Sequence, residues 1–533
     1  MRRTSNLSRV ALVLIALLAT SGMAFAGGAQ QAASAAGLDE IGFRTSGYPI
    51  VDEPVTMEAV IVRPGHRPVP YSELSLVNDL QEKTNVWIDW EELPQAQAEE
   101  RVNLMFASRE FPDIFFNAGG GHNDTNIYTA GRGGDIYPLN EYINQYAPNW
   151  QRVFEENPLI ERSVTFPDGN IYSLPYARDF PADYMIRDIQ LLNVDWLDRV
   201  GKAMPTTLDE FRDVLRAFRA GIDDGTLPTR GVPWYWRYRQ WVGGEFEIYG
   251  SFGIWAKDST FLSVNNGMVE FAGTDPRLID ALEYLHGMFQ ERLFPEEVFT
   301  DPWDDYISKI RSDPPVAGSF GSFHNPGALA HYFDAIPPLP AEGVDQPLFR
   351  SQPIRLQKNQ FTIMRRFPYP EVAIRFIDEF ADPVTALEMS YGRIGHEILE
   401  ENGMLRVLGI AEEYQLHAPH NFMASFIPRS ISDRVIWDGD LGRRDGYVRN
   451  IYEPYVWPQE RHMPTVVYTD QEREELSILE TEIRGYIEET HATWIVNGGV
   501  RAGWDTYVRQ LQSLGLERKI QIYQDAVDRF YAD

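Results

Sequence analysis

The chain of 533 residues contains no cysteine. This absence excludes disulfide bridges, cysteine-based zinc sites and thiolate nucleophiles. It also excludes a lipid anchor of the kind that is attached to an N-terminal cysteine of a mature protein.

Positive charge is also scarce. The sequence has 48 Lys and Arg against 78 Asp and Glu, which gives a formal net charge of −30 and a pI near 4.7. An excess of negative charge repels phosphate backbones and anionic membrane surfaces, so we expect no nucleic-acid partner.

Recognisable catalytic motifs are missing as well. The sequence has no P-loop and no G-x-S-x-G elbow, and His396-Glu397 lacks the second histidine of H-E-x-x-H. His417 and His420 are separated by Pro419, which breaks the helix that would align them as metal ligands. The sequence therefore predicts no catalytic residue, no metal site and no cofactor.

The first residues are typical of an exported protein. Arg2 and Arg3 precede an apolar run over residues 10–18, and Ala24-Phe25-Ala26 fits the small-x-small pattern of signal peptidase sites. The run is about half of the roughly 20 residues that a membrane span needs, which disfavours a retained anchor. We predict a signal peptide over residues 1–26, a flexible leader over residues 27–50, and a soluble periplasmic mature protein.

From residue 55 onward, extended and helical patterns alternate. The pattern predicts strands over 55–62, 86–90 and 114–116, with helices over 72–83 and 95–107. This βαβαβ order indicates an α/β fold with a mainly parallel sheet, on which ligands bind beyond the carboxyl ends of the strands. Farther on, Thr207 and Glu210 form a capping-box pattern that predicts a helix ending at Gly221.

Three segments of the sequence carry a resemblance to a known family. They are a turn and strand over residues 168–176, a segment over residues 193–211, and the C-terminal part over residues 504–529. In this order, behind an export signal, they resemble the family 1 extracellular solute-binding proteins of bacterial ABC importers. The similar subgroup is the long one that includes lipoproteins of the LipO type and the alginate-oligosaccharide binders.

The resemblance implies a two-lobed fold of the periplasmic-binding-protein type II, with mainly parallel sheets flanked by helices and a ligand cleft between the lobes. It assigns residues 51–177 and 335–385 to lobe one, and residues 178–334 and 386–533 to lobe two. The chain would then cross between the lobes near Ala177, Pro337 and Ala386.

Many members of this family carry a calcium loop after the position of Phe218. Here Asp223 and Asp224 are present, but a later acidic pair is absent and Arg230 adds a positive charge. Calcium takes about six to eight oxygen ligands, so we interpret this segment as an ordinary solvated loop.

Aromatic residues make up 13% of the chain, which is generous for a core. In the dense segment over residues 234–241, alternation places Trp234 and Trp236 on one face and Arg237 on the other. One face is expected to pack in the core and the other to line the cleft. The candidates from this region are Trp234, Trp236, Arg237, Trp241 and Trp255.

Further candidates come from strand ends and from the resemblance. Three glycines between Asn117 and His122 permit either a close approach to a ligand or a simple turn. Arg393 lies in a segment similar to one near the family's cleft, where it would bind a carboxylated sugar or pair with an acidic neighbour. The complete set of further candidates is Asn117, His122, Arg178, Asp179, Tyr391, Arg393 and Trp437, followed by the aromatics of residues 452–457.

Together these features predict a monomeric receptor that captures an oligosaccharide or related carbohydrate and delivers it to the membrane subunits of an ABC transporter. Two alternatives remain open. A secreted polysaccharide-degrading enzyme would use the same aromatics as subsites, and a sensor that presents its ligand to a membrane kinase would share every residue.

We predict cleavage of the exported chain after Ala26, because Ala24 and Ala26 supply the small residues that signal peptidase reads. N-terminal sequencing of the mature protein measures this directly. A mature protein that starts anywhere other than Gly27, or that keeps its leader in the membrane, contradicts the prediction.

Overall fold

A computed structural model of the chain describes residues 37–63, 69–178, 186, 188–240, 244–322, 327–351, 355–408 and 426–532. The predicted signal peptide, the first part of the predicted leader, and the residues Asp179, Trp241, His417 and His420 lie outside these ranges.

The strands, numbered along the chain, form two main sheets and two smaller ones. They are β1 (Val55–Arg63), β2 (Val86–Pro94), β3 (Ile114–Phe116), β4 (Leu174–Arg178), β5 (Ile189–Asn193), β6 (Val232–Tyr235), β7 (Leu262–Asn265), β8 (Met268–Phe271), β9 (Ala317–Ser322), β10 (Phe333–Ala335), β11 (Arg355–Ile363), β12 (Ile398–Glu401), β13 (Met404–Val407), β14 (Phe426–Ile427) and β15 (Val435–Trp437).

The α-helices cover the faces of these sheets. They are α1 (Ser75–Thr84), α2 (Gln95–Ser108), α3 (Asp124–Arg132), α4 (Asn140–Tyr146), α5 (Pro148–Glu156), α6 (Pro158–Val164), α7 (Val194–Val200), α8 (Leu208–Asp224), α9 (Glu245–Ser251), α10 (Arg277–Gln290), α11 (Trp303–Ile310), α12 (Pro370–Asp378), α13 (Pro383–Tyr391), α14 (Arg429–Ser432), α15 (Gly439–Tyr447), α16 (Asp470–Asn497), α17 (Val500–Ser513) and α18 (Leu516–Tyr531). Within the described ranges, none of the helices combines the length and the apolar character that a membrane crossing requires.

Lobe one is built on a six-stranded sheet with the order β14-β4-β11-β3-β1-β2. Strand β1 runs parallel to both β2 and β3, and the connecting helices α1 and α2 confirm the predicted βαβαβ order. Strand β11 returns to this sheet from the second half of the chain and runs antiparallel to β3 and β4. The sheet is therefore mixed, and the carboxyl ends of β1, β3 and β4 share one edge.

Lobe two is built on a four-stranded sheet with the order β10-β5-β9-β6. Its core joins this sheet to helices α8 and α10 and to the C-terminal helices, through buried residues such as Phe218, Leu285 and Ile487. Two separate cores on two sheets confirm a two-lobed α/β fold.

The packing places two of the lobe boundaries differently from the prediction. Ile336, Leu339 and Phe349 are buried in the lobe-two core, so residues 335–349 do not belong to lobe one. Conversely, Ala386 and Val435 are buried in the lobe-one core, so residues 386–408 and 426–435 pack with lobe one and not with lobe two. The proline-rich segment after Ala335 hydrogen-bonds along lobe two, where the Ile336 N–H donates to the Gln190 carbonyl over 2.8 Å.

The chain therefore passes between the lobes in three other places, which we call crossing one (residues 178–188), crossing two (residues 351–355) and crossing three (residues 437–448). The positions near Pro337 and Ala386 differ from these three segments, whereas the sequence-based position near Ala177 stays a prediction. Within the described ranges, the packing supports an assignment of residues 37–178 and 355–437 to lobe one, and of residues 188–351 and 448–531 to lobe two. The prediction of a flexible leader up to residue 50 is wrong for residues 37–50, because Leu38, Ile41 and Ile50 pack in the lobe-one core.

For helix α8, the predicted N-terminal cap is confirmed and the predicted C-terminal end is wrong. Thr207 caps it as predicted, because its Oγ1 accepts a hydrogen bond from the Glu210 N–H over 3.2 Å. The predicted end at Gly221 is wrong, since the helix continues to Gly225, which has φ 84°. Gly221 is required for packing instead: a Cβ there would lie 3.0 Å from the Leu227 side chain.

The C-terminal helices also touch lobe one. Arg132 of α3 lies 3.1 Å from the Asp470 carboxylate at the start of α16, and the guanidinium of Arg473 lies over the Tyr128 ring, 5.6 Å from its centroid. Farther along, the Arg162 side chain donates to the Phe530 carbonyl over 3.3 Å. The lobes thus share a second region of contact besides the crossings.

We predict that Gly250→Ala destabilises the protein by about 1–3 kcal/mol, because the added Cβ would overlap the backbone oxygen of Leu348, which packs against α9. Gly485→Ala is the matched control, since Gly485 lies inside α16 with no atom within 4 Å of the added Cβ. That control should stabilise the protein by about 0.5–1 kcal/mol. Urea denaturation measures both changes, and equal effects of the two substitutions would contradict the prediction.

Candidate ligand-binding site

Two buried arginines hold the crossings together. Arg350, just before crossing two, donates to the Asp188 carboxylate of crossing one over 2.6 Å, and its Nε lies 3.3 Å from a Glu247 oxygen of α9. Arg444 in crossing three donates to the Ile186 carbonyl of crossing one over 2.5 Å. All three crossings therefore meet in one region of the molecule.

Carboxylates outnumber the arginine in the cluster of Arg350, Asp188, Glu247 and Glu245. The Arg239 backbone N–H donates to Glu245 over 2.6 Å. Burial raises the pKa of Glu245 to about 8 and that of Glu247 to about 7, because the charged form of a buried carboxyl loses its hydration. At neutral pH the Glu245 carboxyl is therefore mostly protonated and Glu247 is close to its midpoint, so burial removes much of the formal negative charge of this cluster.

Aromatic residues gather on the lobe-one side. The Arg178 guanidinium, at the carboxyl end of β4, lies over the rings of Tyr176 and Tyr391 at 5.3 and 5.0 Å, and it donates to the Tyr391 hydroxyl. The Tyr391 ring meets the half-buried Trp437 ring edge to face, with 4.8 Å between the centroids. We call Tyr176, Arg178, Tyr391 and Trp437 the lobe-one aromatic group.

A second group lies on lobe two. Trp255 and Trp457 stack with 5.2 Å between their centroids, and the His462 ring meets Trp255 at 5.1 Å. His462 Nε2 and the Trp457 backbone N–H both contact the Ser351 hydroxyl, at 3.1 and 3.2 Å. Burial lowers the pKa of His462 to about 3, so its imidazole is neutral. We call Trp255, Ser351, Trp457 and His462 the lobe-two aromatic group.

The two aromatic groups flank crossing two. Ser351 belongs to the lobe-two group, and Arg355 pairs with Arg178 of the lobe-one group in the β4–β11 ladder. Since four residues of extended chain span at most about 14 Å, the Cα atoms of Ser351 and Arg355 lie within that distance of each other. The indole N–H groups of Trp255 and Trp457 are buried and have no acceptor within the described ranges.

The structure thus brings together three of the predicted site residues, because Tyr391 contacts both Arg178 and Trp437. Trp255 belongs to the separate lobe-two aromatic group. Asn117 follows β3 at the carboxyl edge of the lobe-one sheet, with φ 37° and partial exposure. Sequence reasoning missed Asp188, Arg350, Ser351 and His462, and it gave Trp457 only as one aromatic among residues 452–457.

The interpretation of Trp234 and Trp236 as cleft residues needs correction. Both are nearly inaccessible in the lobe-two core, with rings 5.7 and 5.2 Å from Phe294. Neighbouring Arg237 donates to the Asp301 carbonyl over 3.1 Å and lies over the Trp303 ring. Strand β6 lies at the sheet edge under α8, so alternation directs its indoles into the core.

His122 and Arg393 are also engaged elsewhere. His122 is buried against Phe115, its Nε2 lies 2.9 Å from the Thr362 hydroxyl, and burial lowers its pKa to about 3. Arg393 pairs with Asp79 over 2.5 Å, which is the second of the two roles that the sequence left open.

The segment similar to a calcium loop has other contacts. Asp223 pairs with Arg219 over 2.8 Å and lies 3.9 Å from Arg292, while Asp224 accepts the Thr226 N–H over 2.9 Å. Across the described ranges, no group of three or more His, Asp or Glu residues is placed to hold a metal ion.

Comparison with known proteins reveals relatives along most of the chain. No family model matches it. Over 493 residues, it is 24% identical to the fructooligosaccharide ABC transporter substrate-binding protein FusA of Streptococcus pneumoniae, covering 87% of this chain and 88% of FusA. Over 243 residues, it is 26% identical to lipoprotein LipO of Bacillus subtilis, covering 45% of this chain and 44% of LipO.

Solved structures show the same architecture. FusA in complex with kestose has a TM-score of 0.76 at 23% identity, covering 89% of this chain and 99% of FusA. An extracellular solute-binding protein of Bifidobacterium longum subsp. infantis has a TM-score of 0.77 at 21% identity, covering 90% of this chain and 99% of that one. The predicted fold class and the resemblance to solute-binding proteins are confirmed.

We predict that Trp236→Ala lowers the free energy of unfolding by about 3–5 kcal/mol, because it leaves a cavity in the lobe-two core. Trp87→Ala is the matched control, since Trp87 is 38% exposed on edge strand β2, and it should cost about 1 kcal/mol or less. Chemical denaturation followed by circular dichroism measures both. Equal losses of stability in the two variants would contradict the core position of Trp236.

Proposed function

We infer that this chain, a relative of the ABC-transporter solute-binding proteins in sequence and fold, captures an oligosaccharide between its lobes and delivers it to the membrane subunits of an importer. It acts outside the cytoplasm after export, as a binding protein and not as an enzyme. One observation carries the proposal: two aromatic groups, one on each lobe, flank the same crossing.

Aromatic rings suit this ligand class. The apolar face of a sugar that covers about 100 Å² of a ring contributes roughly 2.5 kcal/mol before ordering costs. Micromolar binding corresponds to a binding free energy of about 8 kcal/mol. Two or three such ring contacts, together with hydrogen bonds, are enough to reach it. The unsatisfied indole N–H groups of Trp255 and Trp457 are suited to donate to sugar hydroxyl oxygens.

Transport requires the two lobes to move relative to each other, and the crossings are where the chain permits that movement. A ligand that touches both aromatic groups favours the conformation in which the lobes are close, by its differential affinity for that state. Arg350 and Arg444 keep the crossings together during such a movement, so the lobes rotate about this region. Membrane subunits can then distinguish loaded receptor from empty receptor.

A thermal-shift screen over oligosaccharides, followed by calorimetry on the strongest ligand, tests this function. A ligand at 100 times its dissociation constant should add about 2.7 kcal/mol of stability. Trp457→Ala and Trp437→Ala should each weaken binding by about 1–3 kcal/mol, because each removes a ring beside a crossing. Trp87→Ala, on the outer edge of lobe one, is the control and should bind as the parent does.

Two results would contradict the proposed function. One is the absence of stabilisation by any oligosaccharide across linkage types and lengths. The other is the appearance of new reducing ends when the protein is incubated with a stabilising sugar, which would assign the aromatic groups to an enzyme's subsites.

A further inference from the structure

We propose that Trp303 and Arg237 form a further sugar-binding subsite on lobe two, at the edge of its sheet where crossing one arrives from lobe one. This inference rests on the proposed function, since it adds a contact for the same oligosaccharide. It is carried by the position of the two side chains at that edge, by their exposure, and by the network that holds Arg237 in place.

The strand directions place this edge of the lobe-two sheet next to crossing one. Strand β5 begins at Ile189, directly after crossing one, and Ile189 pairs with Ser322 at the carboxyl end of β9. Strand β6 runs parallel to β9, so its last residue, Tyr235, lies at the same edge. Crossing one starts at the carboxyl end of β4 in lobe one. The carboxyl ends of β6 and β9 therefore lie on the side of lobe two where a ligand of such a sheet is expected.

Trp303 places an exposed ring at this edge. It is the first residue of α11, which packs beside β9, and the Tyr306 hydroxyl of the same helix donates to the Gly321 carbonyl near the end of β9 over 2.5 Å. The Trp303 ring stacks on Tyr306 with 5.8 Å between the centroids, and 36% of the residue is exposed. Burial raises the pKa of Tyr306 and the charge of Asp188 raises it further, so this helix end lies close to the end of crossing one.

Arg237 follows β6 by two residues and is held by its neighbours. Its Nε donates to the Asp301 carbonyl over 3.1 Å, and its guanidinium lies 5.8 Å from the centroid of the Trp303 ring. The Asp301 carboxylate accepts from the Tyr235 hydroxyl and pairs with Lys309 over 2.5 Å, so its charge is balanced by Lys309. Across the described ranges, the two terminal nitrogens of Arg237 have no hydrogen-bond acceptor, and they remain in contact with solvent.

The two side chains together suit one unit of an oligosaccharide. An indole ring packs against the apolar face of a sugar, and a guanidinium presents a planar fork of N–H donors to two neighbouring oxygens. Two vicinal hydroxyl groups and a uronic carboxylate both supply such a pair of oxygens. The remaining units of the oligosaccharide would then contact the aromatic groups beside crossing two.

Calorimetry with fructo-, gluco- and galacturono-oligosaccharides of two to five units tests the inference. Trp303→Ala and Arg237→Gln should each weaken the binding of the longest probe that the parent binds by about tenfold or more. Trp303→Phe keeps a flat ring and should restore most of that affinity. Trp87→Ala is the matched control, since Trp87 is 38% exposed on the outer edge of lobe one, and it should bind as the parent does.

Arg237→Lys identifies the oxygens that the fork binds, because it keeps the positive charge and loses the planar geometry. For a uronic unit, this variant should keep more affinity than Arg237→Gln, whereas for a neutral unit both variants should lose affinity about equally.

Normal binding of every probe by Trp303→Ala and Arg237→Gln, with melting temperatures like that of the parent, overturns the inference and leaves the proposed function intact. A parent protein that binds none of the probes overturns both. If Trp303→Ala does not fold, Arg237→Gln alone decides the outcome, because Arg237 is only half-buried and its terminal nitrogens have no partner to lose.

Discussion

A buried guanidinium has to be paired, and in this protein Arg350 is paired in the region where the three crossings meet. Asp188 ends crossing one, Arg350 lies just before crossing two and Glu247 lies on helix α9, so one set of ionic contacts ties three segments of lobe two together. Removing one partner of a buried pair typically costs about 3–5 kcal/mol, because it leaves an uncompensated charge. These contacts therefore fix where the chain enters lobe two at crossing one and where it leaves at crossing two.

Much of the lobe-one fold could be predicted because its signals are local. The alternation of strands and helices from Val55 to Phe116 was visible in the periodicity. In lobe two, the Thr207 cap was likewise visible in four consecutive residues. The crossings could not be predicted in this way. Prolines around residue 338 indicate an extended segment, but which lobe it packs against depends on contacts with distant residues such as Gln190.

The site was predicted less well than the fold, for a physical reason. Alternation indicates that Trp234 and Trp236 share a face, yet a core face and a cleft face of a strand have the same pattern. The Arg350–Asp188 pair joins residues 162 positions apart, and no spacing rule points to it. Arg178 was a candidate because it follows a strand, and Tyr391 because its segment has a family resemblance, whereas Trp437 was a candidate only as an aromatic residue.

The contact between α3 and the start of α16 lies outside the crossings, so any rotation of the lobes has to alter it. Arg132–Asp470 is a surface ion pair worth about 1 kcal/mol or less, whereas Arg473–Tyr128 is a mostly buried cation–π contact worth up to about 2 kcal/mol. The free energy of these contacts affects the fraction of molecules in the binding-competent conformation. The observed dissociation constant of every ligand depends on that fraction. Residues remote from the sugar can thus tune how readily the receptor fills at a given nutrient concentration, and evolution can adjust affinity there without changing which sugar is chosen.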